Sequence, residues 1–129
     1  MIFAPFEAQV ADLVNLERLA AKLPVLRISH DLSHVARAKS QDMLANRTLS
    51  HHSPKYGSLT HMLTLFGIRF RSAAENIAAG QQAPEAVMAS WMRSPGHRGN
   101  IMNPGFQEIG VGFAGKGRDT YWTQIFVAR

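Results

Sequence analysis

The sequence predicts an α+β domain in which helices precede and flank a small antiparallel sheet, and three observations carry that prediction. Apolar residues recur at helical spacing through the first third of the chain, two β-prone runs joined by a turn close it, and Pro, Gly, Ser and Asn punctuate the stretch between. Length sets the scale: 129 residues is one ordinary domain, so residues 1–129 are expected to share a single core.

The first helix is expected over about residues 6–22, where Phe6, Val10, Leu13, Val14, Ala20 and Leu23 approximate one face and Glu7, Asp12, Glu17, Arg18 and Lys22 fall mostly elsewhere. Pro24 ends it, and Ser29 supplies a capping oxygen for a second helix running to about Asn46, with Leu32, Val35, Ala36, Met43 and Leu44 as its stripe. NRTLSHHSPKYGS is rich in turn formers and reads as an ordered surface loop leading into a short helix begun by Ser58. IRFR after Gly67 alternates like a short edge strand, and AENIAAG then passes into a loop closed by Gly80. Pro84 and Glu85 suit a helical first turn, Ser94 and Pro95 interrupt that helix and restart a short one, and Asn103 and Pro104 stop it. QEIGVGFAG and TYWTQIFVA then form a hairpin joined by residues 116–119. Gly110, Gly112 and Gly115 match the spacing of dinucleotide-binding loops, but they lead into another strand and not a helix N-terminus, so close packing explains them better. Trp91, Trp122, Phe126 and Met43 read as core.

With 46% hydrophobic and 18% charged residues, the chain can offset its ordering entropy by burial. It has no cysteine, which excludes disulfides, thiolate metal sites and a cysteine nucleophile. The net charge of +5 attracts anionic surfaces, yet the cations (Arg18, Arg37, Arg47, Lys55, Arg69, Arg71, Arg93, Arg98, Arg118) are scattered, which reads as a solvated surface and implies no nucleic-acid partner. The opening MIFAPFEAQVADL carries Glu7 and Asp12 where a signal peptide needs an apolar core, and no run of about eighteen apolar residues suggests a transmembrane segment. An exported protein trimmed of its leader would look the same, so compartment stays open.

Four short segments carry a resemblance: VNLER at 14–18, SHHSPKYG at 50–57, AENIAAG at 74–80 and SWMRSPGHRGNIMNPGFQEIGVGF at 90–113. In order and distance they resemble the CAP superfamily of cysteine-rich secretory proteins, antigen 5 and pathogenesis-related proteins, in its bacterial cysteine-free branch. The likeness extends from Asn15 and Arg18 through LSHVARAKSQDM to YWTQIF. It implies a three-layer α-β-α sandwich, an extracellular or cell-envelope location, and a cleft that in many relatives holds two histidines and two glutamates. Position by position, it implies His51 and His97 as the histidines and Glu75 as one glutamate, with Ser94 where many relatives carry the second.

Two imidazoles and a carboxylate can bind a zinc-like divalent ion with water completing the shell, and His51, Glu75 and His97 are the implied ligands. The same three side chains can instead form a hydrogen-bonded network that fixes the surrounding loops without an ion. They lie 24 and 22 residues apart, so no helical register joins them and the fold must do so. His97 falls in the first turn of the helix begun by Ser94 and Pro95, where the helix dipole favours the neutral ring that metals need. His30 and His34 share a helical face but read as incidental, His52 faces solvent, and Ser53 and Asn76 read as residues bonding loop backbone.

Two function classes remain. One is a non-catalytic module whose cleft, with Ser94 beside the triad, binds an unidentified ligand, such as a cell-wall or other anionic polymer or a lipid. The other is a hydrolase of peptide, ester or cell-wall bonds, with Glu75 as base or a metal-bound water as nucleophile. Neither a GxSxG elbow nor an HExxH helix is present, and no base or orienter is evident for Ser53, Ser94 or Thr123 as nucleophiles. The neutral residue at Ser94 favours the binding module.

Overall fold

The computed structural model describes residues 4–129. Its elements in chain order are α1 (Pro5–Ala20), β1 (Arg27–Ile28), α2 (His30–Asn46), α3 (Leu59–Leu65), β2 (Ser72–Ala79), α4 (Pro84–Arg93), α5 (Pro95–Ile101), β3 (Glu108–Lys116) and β4 (Asp119–Ala128). The sheet order is β1-β3-β4-β2. β3 and β4 form the C-terminal hairpin, β2 pairs antiparallel along the other side of β4, and β1 adds two parallel pairs to β3.

Local chemistry sets most boundaries. Pro5, Pro84 and Pro95 open α1, α4 and α5, where the missing amide costs nothing. Ser29 and Ser58 cap α2 and α3, each hydroxyl accepting the amide three residues on at 3.2 Å. α2 stops at Arg47, whose φ of 50° is left-handed.

Because side chains alternate across a strand, the sheet has two dissimilar faces. On one, Val10, Ala11 and Val14 of α1, Val87 and Trp91 of α4 and Ile101 of α5 pack against Ile109, Val111, Trp122 and Phe126. On the other, Leu32, Val35 and Ala36 of α2 and Met62 and Leu63 of α3 meet Ile125 and Val127. The result is a three-layer α-β-α sandwich. The glycines of the hairpin belong to the α2 face: a Cβ on Gly110 would lie 2.2 Å from the Leu32 carbonyl carbon, and one on Gly112 2.2 Å from that of Ala36. Ser40 of α2 completes the contact, donating to the Gly112 carbonyl at 3.0 Å and sharing a 2.8 Å hydrogen bond with Thr123.

Several expectations need correction. IRFR is not a strand: Ile68 and Phe70 turn into the α2/α3 core while Arg69 and Arg71 stay exposed, and the ladder starts at Ser72. AENIAAG is strand instead of loop, an alanine-rich segment of modest β propensity recruited by eight residue pairs along β4; Gly80, at φ 98°, does close it. The two-residue β1 was not anticipated. α1 ends at Ala20, two residues short of the expected limit.

Arg18 is not a surface cation. It is fully buried and donates to the carbonyls of Pro24, Ile101 and Asn103 at 2.8 to 2.9 Å, tying the end of α1 to the end of α5. Glu7 is buried too, held by both oxygens to Arg37 and accepting the Phe113 amide at 3.1 Å.

Candidate functional site

β2 is an edge strand, and consecutive residues Glu75 and Asn76 point to opposite faces of it. Glu75 pairs with Ile125 and shares the α2 face; Asn76 pairs with Gln124 and shares the α4/α5 face. The two helical layers therefore meet across one strand.

From the α2 side, the 50–57 loop brings His51 to the strand, and its Nδ1 lies 2.9 Å from Glu75 Oε1. The imidazole is 63% exposed and the carboxylate 3%. The loop is held internally: Ser53 Oγ donates to Asp42 at 2.6 Å and accepts the amides of Lys55 and Tyr56, the backbone-bonding role expected of it. From the other side, His97 sits in the first turn of α5, and its carbonyl accepts from Asn76 Nδ2 at 3.0 Å. The same amide donates to Gln124 Oε1 and accepts from Asn100, so Asn76, fully buried, spends all its hydrogen-bonding groups at long range and not on a local loop.

Ser94 occupies the junction of α4 and α5, half-buried, at the N-cap position, but its hydroxyl makes no capping bond. His52 and His34 are exposed, the latter against the Phe66 ring. Trp91, Trp122, Phe126 and Met43 are buried in the two cores or at their edge.

The two histidines are tuned in opposite directions. The hydrogen bond to Glu75 raises the His51 pKa above its ordinary value, against burial and the Lys39 charge. Burial, and then the charge of His51, lowers that of His97. The neutral His97 ring expected from the helix dipole is thus favoured, with desolvation as the leading cause.

Two buried atoms here have no hydrogen-bond partner among the described residues: Glu75 Oε2 and His97 Nδ1. Among the described residues no three His, Asp or Glu side chains stand ready as a ligand group.

Lys39 was missed. It is 1% exposed, and its Nζ donates to the His51 carbonyl at 2.8 Å. Burial lowers its pKa, while Glu75 and Asp42 oppose the shift. The signal was available: Leu32, Val35, Ala36, Lys39 and Met43 follow one helical stripe, so a lysine stands on the face that packs inward.

The three-layer sandwich is the fold of an SCP domain of known structure. The model of the CAP family, the cysteine-rich secretory protein family, matches residues 11–126, and the chain belongs to that family. It is 48% identical over 124 residues to the uncharacterized protein YkwD of Bacillus subtilis, covering 96% of this chain and 48% of that one. It is 37% identical over 123 residues to the uncharacterized membrane protein YlbC of the same organism, covering 95% of this chain and 34% of that one. The chain thus spans a third to a half of the length of these relatives. An extracellular SCP-domain protein from Bacillus anthracis superposes with a TM-score of 0.91 at 33% identity, over 100% of this chain and 45% of that chain. An outer surface protein from Borrelia burgdorferi shares the fold, with a TM-score of 0.85 at 21% identity over 93% of this chain and 90% of its own.

Proposed function

We propose that this chain is an extracellular or cell-envelope binding module whose site, built on His51, Glu75 and His97 with Ser94 at its margin, takes a zinc-like divalent ion together with a ligand. The observation that carries the reading is that Glu75 Oε2 and His97 Nδ1 are both buried and unpartnered, while Glu75 Oε1 is hydrogen-bonded to His51. Leaving one such atom unpaired costs about 1–3 kcal/mol, a cost that a bound group would relieve.

The donor chemistry suits the ion. Glu75 holds His51 by Nδ1, which leaves Nε2 on an exposed ring as the free donor, the usual way a carboxylate orients a metal-binding imidazole. His97, with its depressed pKa, stays neutral and able to ligate near neutral pH. When bound, the ion would supply a Lewis-acidic position with open sites for a ligand. Asn76 and Lys39 hold the backbones of the two histidines.

A hydrolase is less well supported. The hydroxyls of Ser53 and Thr123 are engaged with Asp42 and Ser40, and Glu75 Oε1 is committed to His51. Location outside the cytoplasm is supported by the extracellular relative from Bacillus anthracis and the outer surface protein from Borrelia. Among the described residues no helix is long and apolar enough to cross a membrane. For a lipid as ligand, the candidate location is a groove of about 300 Å³ between α1 and α4, where Leu13, Leu16, Met88, Ala89 and Met92 line the apolar part and Glu17 and Glu85 add two carboxylates.

The test is a thermal melt titrated with zinc acetate. A saturating ion at a hundredfold its Kd stabilises by about 2.7 kcal/mol. The midpoint should rise in the wild type and stay put in His51→Ala, Glu75→Gln and His97→Ala. A wild-type midpoint indifferent to millimolar zinc would remove the metal from the proposal.

A further inference from the structure

The 50–57 loop does more than deliver His51. Between it and the C-terminal half of α2 lies a groove of about 480 Å³, within the range of about 300–1,000 Å³ usual for small-molecule sites. The space exists because α2 presents small residues here, Ala38 and Ala45, seven positions apart on one face. A second hollow of about 180 Å³ shares Asp42, Asn46 and Pro54 with the first and continues it to Thr48 and His52, so the groove is elongated. None of His51, Glu75 and His97 lines either part. Both walls are fixed in advance. Ser53 Oγ reaches across to Asp42 at 2.6 Å, Ser53 and Gly57 exchange backbone hydrogen bonds of 2.8 and 2.9 Å, and the Tyr56 ring stands edge-on to Phe66 at 5.6 Å. A site built beforehand spares its ligand much of the ordering cost.

The groups left free in this groove describe what it takes. Asp42 Oδ2 accepts the Ser53 hydroxyl and Oδ1 accepts the Asn46 amide at 3.2 Å, which leaves an acceptor position on each oxygen, at the spacing of two neighbouring hydroxyls. Gln41 and Tyr56 line the groove, and neither the amide nor the phenol is hydrogen-bonded among the described residues. Pro54 and the Tyr56 ring add flat apolar surface opposite these polar groups. Lys55 holds its ammonium 5.2 Å from the Tyr56 centroid, an exposed contact of about 0.5–1 kcal/mol that a ligand can replace. The charges cancel: Asp42 opposes Lys55 in the lining, and Lys39, buried and acting on Asp42, is matched by Glu75. No net charge selects an ion, a single carboxylate is a poor metal site, and polar groups along α2 disfavour a lipid.

We infer that this groove binds a neutral carbohydrate chain, with Gln41, Asp42 and Asn46 bonding its hydroxyls and Pro54 and Tyr56 receiving the C–H face of a sugar ring. Sugar is the ligand class that carries hydroxyls around its rim and apolar C–H groups on its faces, and an elongated groove with hydrogen-bonding groups on one wall and ring-sized apolar surface on the other is its complement. The groove shares no lining residue with the proposed metal site, so the two stand or fall separately.

The experiment is amide NMR of isotope-labelled protein titrated to millimolar cellohexaose, chitohexaose and maltohexaose, with hexagalacturonate as the anionic counterpart. At least one neutral hexasaccharide should shift the amides of residues 38–46 and 54–56 and leave those of 95–101 in place. Ala45→Phe fills the groove from an exposed helical position and should abolish the shifts while its melt shows a folded protein. Gln41→Ala removes a side chain that bonds nothing in the fold and should weaken binding about fivefold, the loss expected for a neutral hydrogen bond. His97→Ala should bind the saccharide as wild type does, whatever zinc does to it. Shifts that map to another face, a response to hexagalacturonate alone, binding that survives in folded Ala45→Phe, or no shift from any neutral chain would each overturn the inference. If Ala45→Phe does not fold, Gln41→Ala decides, and an unchanged affinity overturns it.

Discussion

On the α2 face of the sheet, Gly110 and Gly112 bring the helix backbone directly against β3, with no room for a single methyl group. On the opposite face, Trp91, Phe106, Trp122 and Phe126 fill a wider gap with side chains, Phe106 stacking on Phe126 at 5.8 Å. The first contact is between main chains, which shift only as whole elements; the second is between side chains, which can change rotamer. The α2 layer is therefore the rigid reference of the molecule. Lys39 and Ser40 stand on that layer, one reaching the His51 loop and the other the central strands. The geometry of the site is thus referred to the face that tolerates least change.

The largest expected effect tests that contrast. Gly112→Ala should cost about 3 kcal/mol or more, since its methyl would overlap the backbone of Ala36 and Arg37 and α2 must lift to admit it. Ile109→Val, fully buried on the other face, should cost about 1 kcal/mol by removing one methylene from a core that can partly collapse around the loss. Urea melts of both variants measure the difference. A Gly112→Ala protein as stable as Ile109→Val would show that the two faces do not differ in this way.

The same contrast explains what was legible in the sequence. Helices with a proline or serine start were readable because their signals are local, within a turn of the capping residue. The hairpin was readable from its two β-prone runs, and the glycine spacing was rightly separated from a nucleotide loop. β2 was not readable, because Ser72–Ala79 is a strand through its partner β4 and little in its own alanines says so. At the site, His51, Glu75 and His97 came from a resemblance carried by uncommon words, while their meeting depends on an edge strand that local pattern missed. Arg18 and Lys39 were misplaced or overlooked for one reason: a charged residue counts as surface until its helical phase is checked.

The smallest expected effect concerns the two histidines, one delivered by the loop packed beside α2 and the other by α5. In the metal-free protein the folded pKa of His51 is raised, so its stabilising contribution is complete below the ordinary value of 6.5 and is lost as pH rises through the folded value. The folded pKa of His97 is lowered, so its neutral ring supports the fold fully above 6.5, and that support is lost as pH falls through the folded value. The two contributions together favour the fold most near 6.5. His51 is largely exposed, so solvent screening keeps its part small. Proton NMR titration of the imidazoles reads each pKa separately, with His51 above the ordinary value and His97 below it. Glu75→Gln should bring His51 back toward 6.5 and flatten the alkaline limb of the stability profile, leaving the acid limb that belongs to His97. Two histidines displaced in the same direction would mean either that His51 does not hold the Glu75 carboxylate or that the His97 ring is not desolvated, because those are the leading causes of the opposite shifts.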